Sequence, residues 1–262
     1  MGTAAPPPTL HRLRQTLAGI DPSLAPRLGE EGRSVGLGAP IDAALGGGLL
    51  CGALHELAPA APMHLAAASG FAAALAVLAS GGRGQVLWVA TDFAAGEGGG
   101  PYGPGLDLFG MASARLLMLR VPRAVDVLWA MEEALRCRAL AGVIAELTGE
   151  GAEADLTVTR RLTLAAREGG GLGLLLRQRS TAAPSAAATR WEIAASPSQP
   201  DTFGGLGRPS FDLSLRKNRR GPSGRWLITW DHHERAFHAA VSVGVAQKAL
   251  DRPDRAPLAH TG

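Results

Sequence analysis

Three side chains able to serve a ligand site stand at the ends of apolar runs: Asp92 closes VLWVATD, Glu146 falls near the end of GVIAEL, and Gln178 closes LGLLLRQ. Those runs read as buried strands, and in parallel α/β sheets the groups at the carboxyl ends of strands line the ligand crevice. A fourth run, ALHEL, leads through APAAPMH into an alanine-rich helix. A strand, tight loop and helix in that order can hold a phosphate when the loop reads G-x-x-x-x-G-K-[ST], which supplies amides, an ammonium and a hydroxyl. Here the loop from Ala58 to His64 has neither the glycines nor the lysine. No shift of register restores one, because Lys217 and Lys248 are the only lysines in the chain. A triphosphate would lose its main means of positioning and charge neutralisation. The chain is therefore expected to be no ATPase and to need no cofactor.

The strongest concentration of charge is LRKNRR, which places Arg216, Lys217, Asn218, Arg219 and Arg220 in one turn, with Asp212 before it and Arg225 beyond it. Such a turn suits an acidic protein surface or nucleic-acid phosphates, with salt-dependent affinity and no base readout. Replacing Lys217, Arg219 and Arg220 by alanine is expected to leave the fold intact, as surface changes usually do. Arg179 and Arg190 border a second candidate contact, RQRSTAAPSAAATR, which has no aromatic residue to stack on a base. Metal chemistry is not expected: DHHERAFH spaces His232, His233 and His238 wrongly for a helical zinc pair, and His55 and His64 form no HExxH. Cys51 and Cys137 stand alone, without a CxxC.

The elements that must position these residues follow a simple grammar. Strands are expected at 53–57, 85–90, 115–119, 142–147 and 172–177, mostly with helices between them, which implies a parallel sheet covered on both faces. The helix over 123–140 sets Val125, Leu128, Met131 and Leu135 on one face, and a second helix over 155–167 is capped by Asp155 and stopped by Gly169-Gly170-Gly171. After Gln178 the helices cease, and 189–196, 210–217 and 225–230 read as an antiparallel meander. The expected fold is thus α/β, with a helix-flanked parallel sheet followed by the meander. Residues 1–34 are expected to form an N-terminal helix and linker, in which Leu10, Leu13, Leu17 and Ile20 make one apolar stripe that packs either on its own domain or on a partner. The core is placed at 35–245 and a polar tail at 246–262. Cysteine usage fits a reducing cytoplasm, and the apolar run 64–80 is mostly alanine, so no membrane span is expected.

A parallel sheet followed by a meander is the plan of the RecA core, and specific residues resemble that family from about residue 8 to 238. SVGLGAPIDAALGGGLLCGALHELAP resembles the lead-in to the RecA phosphate loop. The resemblance places Asp92 at the family's catalytic glutamate, Glu146 near its Walker B carboxylate and Gln178 at its γ-phosphate sensor, all three as relics of a nucleotide site. It makes the basic turn the counterpart of the element that reaches a neighbouring protomer's nucleotide. The missing phosphate loop and the LHE followed by AAASGFAAALA are closer to the ImuA family, the RecA-like members of bacterial damage-inducible mutagenesis cassettes. That resemblance implies a non-catalytic accessory role in SOS-induced translesion synthesis. Its implied partners are ImuB, an error-prone DnaE-type polymerase, and RecA or a second copy. Two rival readings are a DNA-dependent ATPase or recombinase with a divergent loop, disfavoured by the missing lysine, and a SulA-type cell-division inhibitor, disfavoured by the full run of strands.

Overall fold

The computed structural model of the chain describes residues 33–82, 84–147, 154–198, 200, 205 and 207–240. The apolar stripe from Leu10 to Ile20 and the polar tail lie outside the described residues. A two-stranded ribbon of β1 (Ser34–Val35) and β2 (Leu49–Leu50) brackets helix α1 (Ala39–Leu45). The remaining strands are β3 (Ala53–Pro59), β4 (Gln85–Thr91), β5 (Leu116–Val121), β6 (Leu140–Leu147), β7 (Leu172–Arg177), β8 (Thr189–Ser196), β9 (Ser210–Asn218), β10 (Gly224–Asp231) and β11 (Ala236–Ala239). They form one nine-stranded sheet in the order β11-β10-β9-β8-β3-β7-β6-β4-β5. From β5 to β8 every pairing is parallel, and from β8 to β11 every pairing is antiparallel. This is the α/β plan expected from the alternation, and it is consistent with the RecA-like core that the resemblance implies.

Helix α2 (Leu65–Ser80) covers one face of the sheet. Six of its eight alanines are buried, which lets the helix axis approach β3, β6, β7 and β8 closely, and Phe71 fills the gap among Trp191, Phe211 and Phe237. Pro62–Ser80 also has the length and hydropathy of a bilayer span, at a mean of 1.6, but it is half buried and packed on the sheet. Helices α5 (Ala124–Arg136) and α6 (Leu156–Gly169) cover the opposite face through Val127, Met131, Leu135, Leu162 and Ala166. Between β4 and β5 lie the short helices α3 (Asp92–Gly98) and α4 (Gly103–Leu108).

The caps behave as the sequence demands. The Asp155 carboxylate accepts the Val158 amide and opens α6, while Gly170 at φ 77° closes it. Two expectations need correction. Helix α5 ends at Arg136, and Val125 is half exposed, because Val127 and Ala130 share the core face that the wider spacing had assigned to Val125. Strand β11 had no counterpart in the sequence reading, since the tight turn DHHER joins it to β10.

Candidate functional site at the carboxyl ends of the central strands

The loop after β3 spends two of its amides on the protein itself and lacks two more. Pro59 and Pro62 have none, Ala60 donates to Ile193 O at 2.8 Å, and His64 donates to Ala61 O at 2.9 Å. Pro62 opens a 3₁₀ turn that runs directly into α2, and the His64 ring accepts the Ala195 amide at 3.2 Å. Strand β8 thus pairs with β3 from His55 to Pro59 and continues one residue into the loop. In a phosphate-binding loop those amides would converge on the ligand.

Asp92 is the exposed first residue of α3, which Thr91 caps through the Ala94 amide at 3.1 Å. Glu146 lies half-buried on β6, facing the α2 side of the sheet beside Trp88, whose indole donates to it at 3.4 Å. Burial pushes its carboxyl above the ordinary value, against the lowering effect of that hydrogen bond. Glu146 therefore meets an indole and not Asp92. Gln178 is exposed, one residue past the end of β7.

The buried charged centre of the sheet is a residue outside the candidate site residues named above, Glu56 in the middle of β3. It is 1% exposed. One carboxylate oxygen accepts Arg177 at 2.9 Å and the Ser185 hydroxyl at 3.0 Å, and the other accepts Arg190 Nε at 2.7 Å. Burial alone would raise its pKa, but the Arg177 charge and the hydrogen bonds from Arg190 and Arg177 outweigh it, so the carboxyl lies below its ordinary value. The same guanidinium of Arg190 donates to Thr181 O and Ala183 O, Arg177 also reaches Ala154 O, and Lys217 Nζ donates to Ser185 O at 2.5 Å. Thr159 on α6 receives the Ala186 amide at 2.9 Å. Segment 178–188, which the sequence offers as a possible contact loop, is therefore laced to the sheet by a buried ion cluster. A glutamate inside the apolar run ALHEL was the available signal, because a carboxylate in a central strand must find a cation.

Beside it, His55 is fully buried. Its ring bonds Thr189 Oγ1 and Leu50 O, each at 2.8 Å, and Trp191 donates to the same threonine. Desolvation lowers its pKa to about 4, with the Leu50 carbonyl working weakly the other way.

The basic turn between β9 and β10 is largely engaged within the molecule. Asn218 donates to Ala44 O at 2.9 Å and Pro222 O at 3.0 Å, and Arg220 donates to Gly46 O at 2.8 Å. The bonds to Ala44 O and Gly46 O satisfy carbonyls at the C-terminus of α1, where a cation also complements the helix dipole. A Cβ on Gly221 would fall 2.3 Å from Ala44 O, so the turn requires glycine there. Arg216 leans toward Glu192 at 3.3 Å, and Arg225 forks onto Asp212. Lys217 is turned inward, and burial and then the neighbouring Arg219 and Arg190 lower its pKa. Arg190 also points inward, with an 11% exposed side chain. Of the basic residues expected at a contact surface, Arg179, Arg216, Arg219 and Arg220 are exposed.

The expectation that the turn can be stripped without cost is accordingly revised. Asn218→Ala should destabilise the domain by about 1–2 kcal/mol, at roughly 1 kcal/mol for each net hydrogen bond lost. The triple replacement of Lys217, Arg219 and Arg220 should destabilise it as well, and urea denaturation of each variant measures both losses.

Asp231, Glu234 and His238 bring potential metal-ligating atoms within 4.8 Å of one another. One oxygen of Asp231 is taken by the amides of His233 and Glu234 and the other by Arg208 at 2.7 Å, while His238 pairs with Glu234 at 2.9 Å. The cluster is a capped hairpin turn with its ligand atoms already engaged.

No family model matches the sequence. Protein ImuA of Caulobacter vibrioides, in strains NA1000 / CB15N and ATCC 19089 / CIP 103742 / CB 15, is 34% identical to this chain over 202 residues, spanning 70% of this chain and 77% of the relative.

Proposed function

Because the chain belongs to the ImuA family, we propose that it is a RecA-like, non-catalytic accessory protein of damage-induced translesion mutagenesis, acting in the cytoplasm. Its partners in this reading are ImuB, an error-prone DnaE-type polymerase, and RecA or a second copy of itself. The observation that carries the proposal is the 34% identity sustained over 202 residues. The chemistry of the strand ends supports the non-catalytic part. The loop after β3 brings no lysine, its amides at Ala60 and His64 are bonded internally, and Asp92 and Glu146 do not meet. The buried charge on β3, Glu56, is neutralised by arginines of the same chain. What remains for function is surface.

The test combines genetics and binding. Deleting the gene should abolish damage-induced mutation without lowering survival in undamaged cells, and purified protein should retain ImuB on an affinity matrix, more weakly as salt approaches the regime where the Debye length falls below about 8 Å. Leu13→Glu with Leu17→Glu should reduce that retention while leaving the melting temperature within about 2 °C of the wild type, because exposed changes usually cost no more than about 0.5 kcal/mol. A large fall in melting temperature would place the apolar stripe in the protein's own core. Normal damage-induced mutation in the deletion strain would reject the functional reading itself.

A further inference from the structure

Strand β5 ends the sheet on one side, pairs only with β4, and leaves its outer row of backbone groups open among the described residues. Natural edge strands are usually protected by a central charge, a proline, a bulge or a covering element. Here the middle of the strand is Leu117, Met118 and Leu119, which are 49%, 44% and 38% exposed. Successive side chains point to opposite faces, so apolar surface is presented above and below the open edge at once. Arg115 and Arg120 bracket this stretch, and neither has a carboxylate partner among the described residues. Arg120 lies against Gly100, where an added Cβ would come within 3.2 Å of its guanidinium.

The candidate occupants differ in how well they fit. The C-terminal residues leave the sheet from β11, eight strand spacings or about 38 Å from β5, and the last of them, DRPDRAPLAHTG, carry prolines that cannot donate to a ladder. The N-terminal residues 1–32 hold a helical apolar spacing, and nine residues of the stretch are proline or glycine, with no alternating run. A second copy would pair antiparallel about a two-fold axis, and centring it on Leu117 and Met118 sets Arg115 opposite the Arg120 of the other copy. Like charges directly opposed across strands are destabilising. The two cations favour instead a strand that brings carboxylates to both ends.

We propose that β5 is a docking edge for an extended segment of a partner protein, with a short apolar or β-branched centre bracketed by acidic residues. Main-chain hydrogen bonds extend the sheet, the exposed leucines and Met118 grip alternate side chains, and Arg115 with Arg120 fixes the register. The assignment stands independently of the mutagenesis reading, since it uses only the geometry and charge of this edge.

The probe is a blocked, fluorescently labelled peptide of alternating valine and threonine with an aspartate at one end and a glutamate at the other, compared with the same peptide ended by lysines. Anisotropy titration of the full chain at low salt should give at least tenfold tighter binding of the acidic peptide. Arg115→Glu with Arg120→Glu should invert that preference, and Leu117→Lys with Leu119→Lys should remove binding of both peptides. Melting curves of each variant confirm that the domain is intact, and the charge-reversal pair serves if the leucine pair fails to fold. Equal affinity for the two peptides, or no binding of either at millimolar concentration, overturns the proposal. So does sedimentation of the wild type as a dimer that Leu117→Lys with Leu119→Lys dissociates, which would give the edge to a second copy.

Discussion

Glu56→Gln is expected to lower the melting temperature by about 10 °C, because removing one partner of a buried ion cluster costs about 3–5 kcal/mol and each kcal/mol shifts a domain of this size by roughly 2–4 °C. The carboxylate is 1% exposed and two guanidiniums, with side chains 15% and 11% exposed, converge on it. Neutralising it leaves both cations partly desolvated with no counter-charge, which costs more than the loss of a hydrogen bond between neutral groups. The damage should be local as well as global. Segment 178–188 hangs on Arg190 through Thr181 O and Ala183 O and on Ser185 through Glu56, so its amides should exchange with solvent faster in the variant. Glu56→Gln combined with Arg190→Gln should recover part of the loss, since it removes one stranded charge. A melting temperature within 2 °C of the wild type for Glu56→Gln would show that the cluster holds nothing together.

Stability should also fall by about 2 kcal/mol between pH 7.5 and pH 5, with His55 as the main source, given 1.36 kcal/mol per unit of pKa difference. The folded protein holds this imidazole neutral, with a pKa of about 4, against an ordinary value of 6.5. Between those two values the unfolded chain binds a proton that the folded chain refuses, so acidification favours unfolding; below pH 4 both states are protonated and the loss levels off. Glu56, whose folded pKa is depressed, adds a further loss below the ordinary glutamate range. Glu146 opposes both in the acid range, because its raised folded pKa makes the folded state the better proton acceptor. Urea denaturation at the two pH values measures the slope. His55→Gln should flatten it, and a slope unchanged in that variant would assign the acid sensitivity elsewhere.

Much of the architecture could be read from the sequence because it is carried by local pattern. QVLWVA, GVIAEL and LGLLLR are short apolar runs set between helical spacings, and each became a parallel strand within two residues of its expected bounds. The meander was equally plain, since nothing helical separates its strands. Strand β11 was not, because four residues after a turn of charged side chains carry too little pattern. The site was harder for a different reason. Glu56 finds Arg177 and Arg190 121 and 134 residues away, and Asn218 and Arg220 each reach carbonyls 174 residues away at the end of α1. A basic run looks free in a linear string, whereas the close approach of the β9–β10 turn to α1 decides which of its charges remain for a partner. Arg190 illustrates the limit: composition placed it on a contact loop, and the neighbouring strand supplied the carboxylate that turns it inward.

In the proposed reading a RecA-like sheet keeps its frame while the loop after β3, without a lysine and with its Ala60 and His64 amides bonded internally, no longer holds a nucleotide. The most direct measurement is a calorimetric titration of the purified chain with ATP and magnesium, run beside phosphate release in the presence and absence of single-stranded DNA. The account predicts no heat of binding at micromolar ATP and no release above the protein-free rate. Turnover that Asp92→Asn or Glu146→Gln abolishes would contradict it.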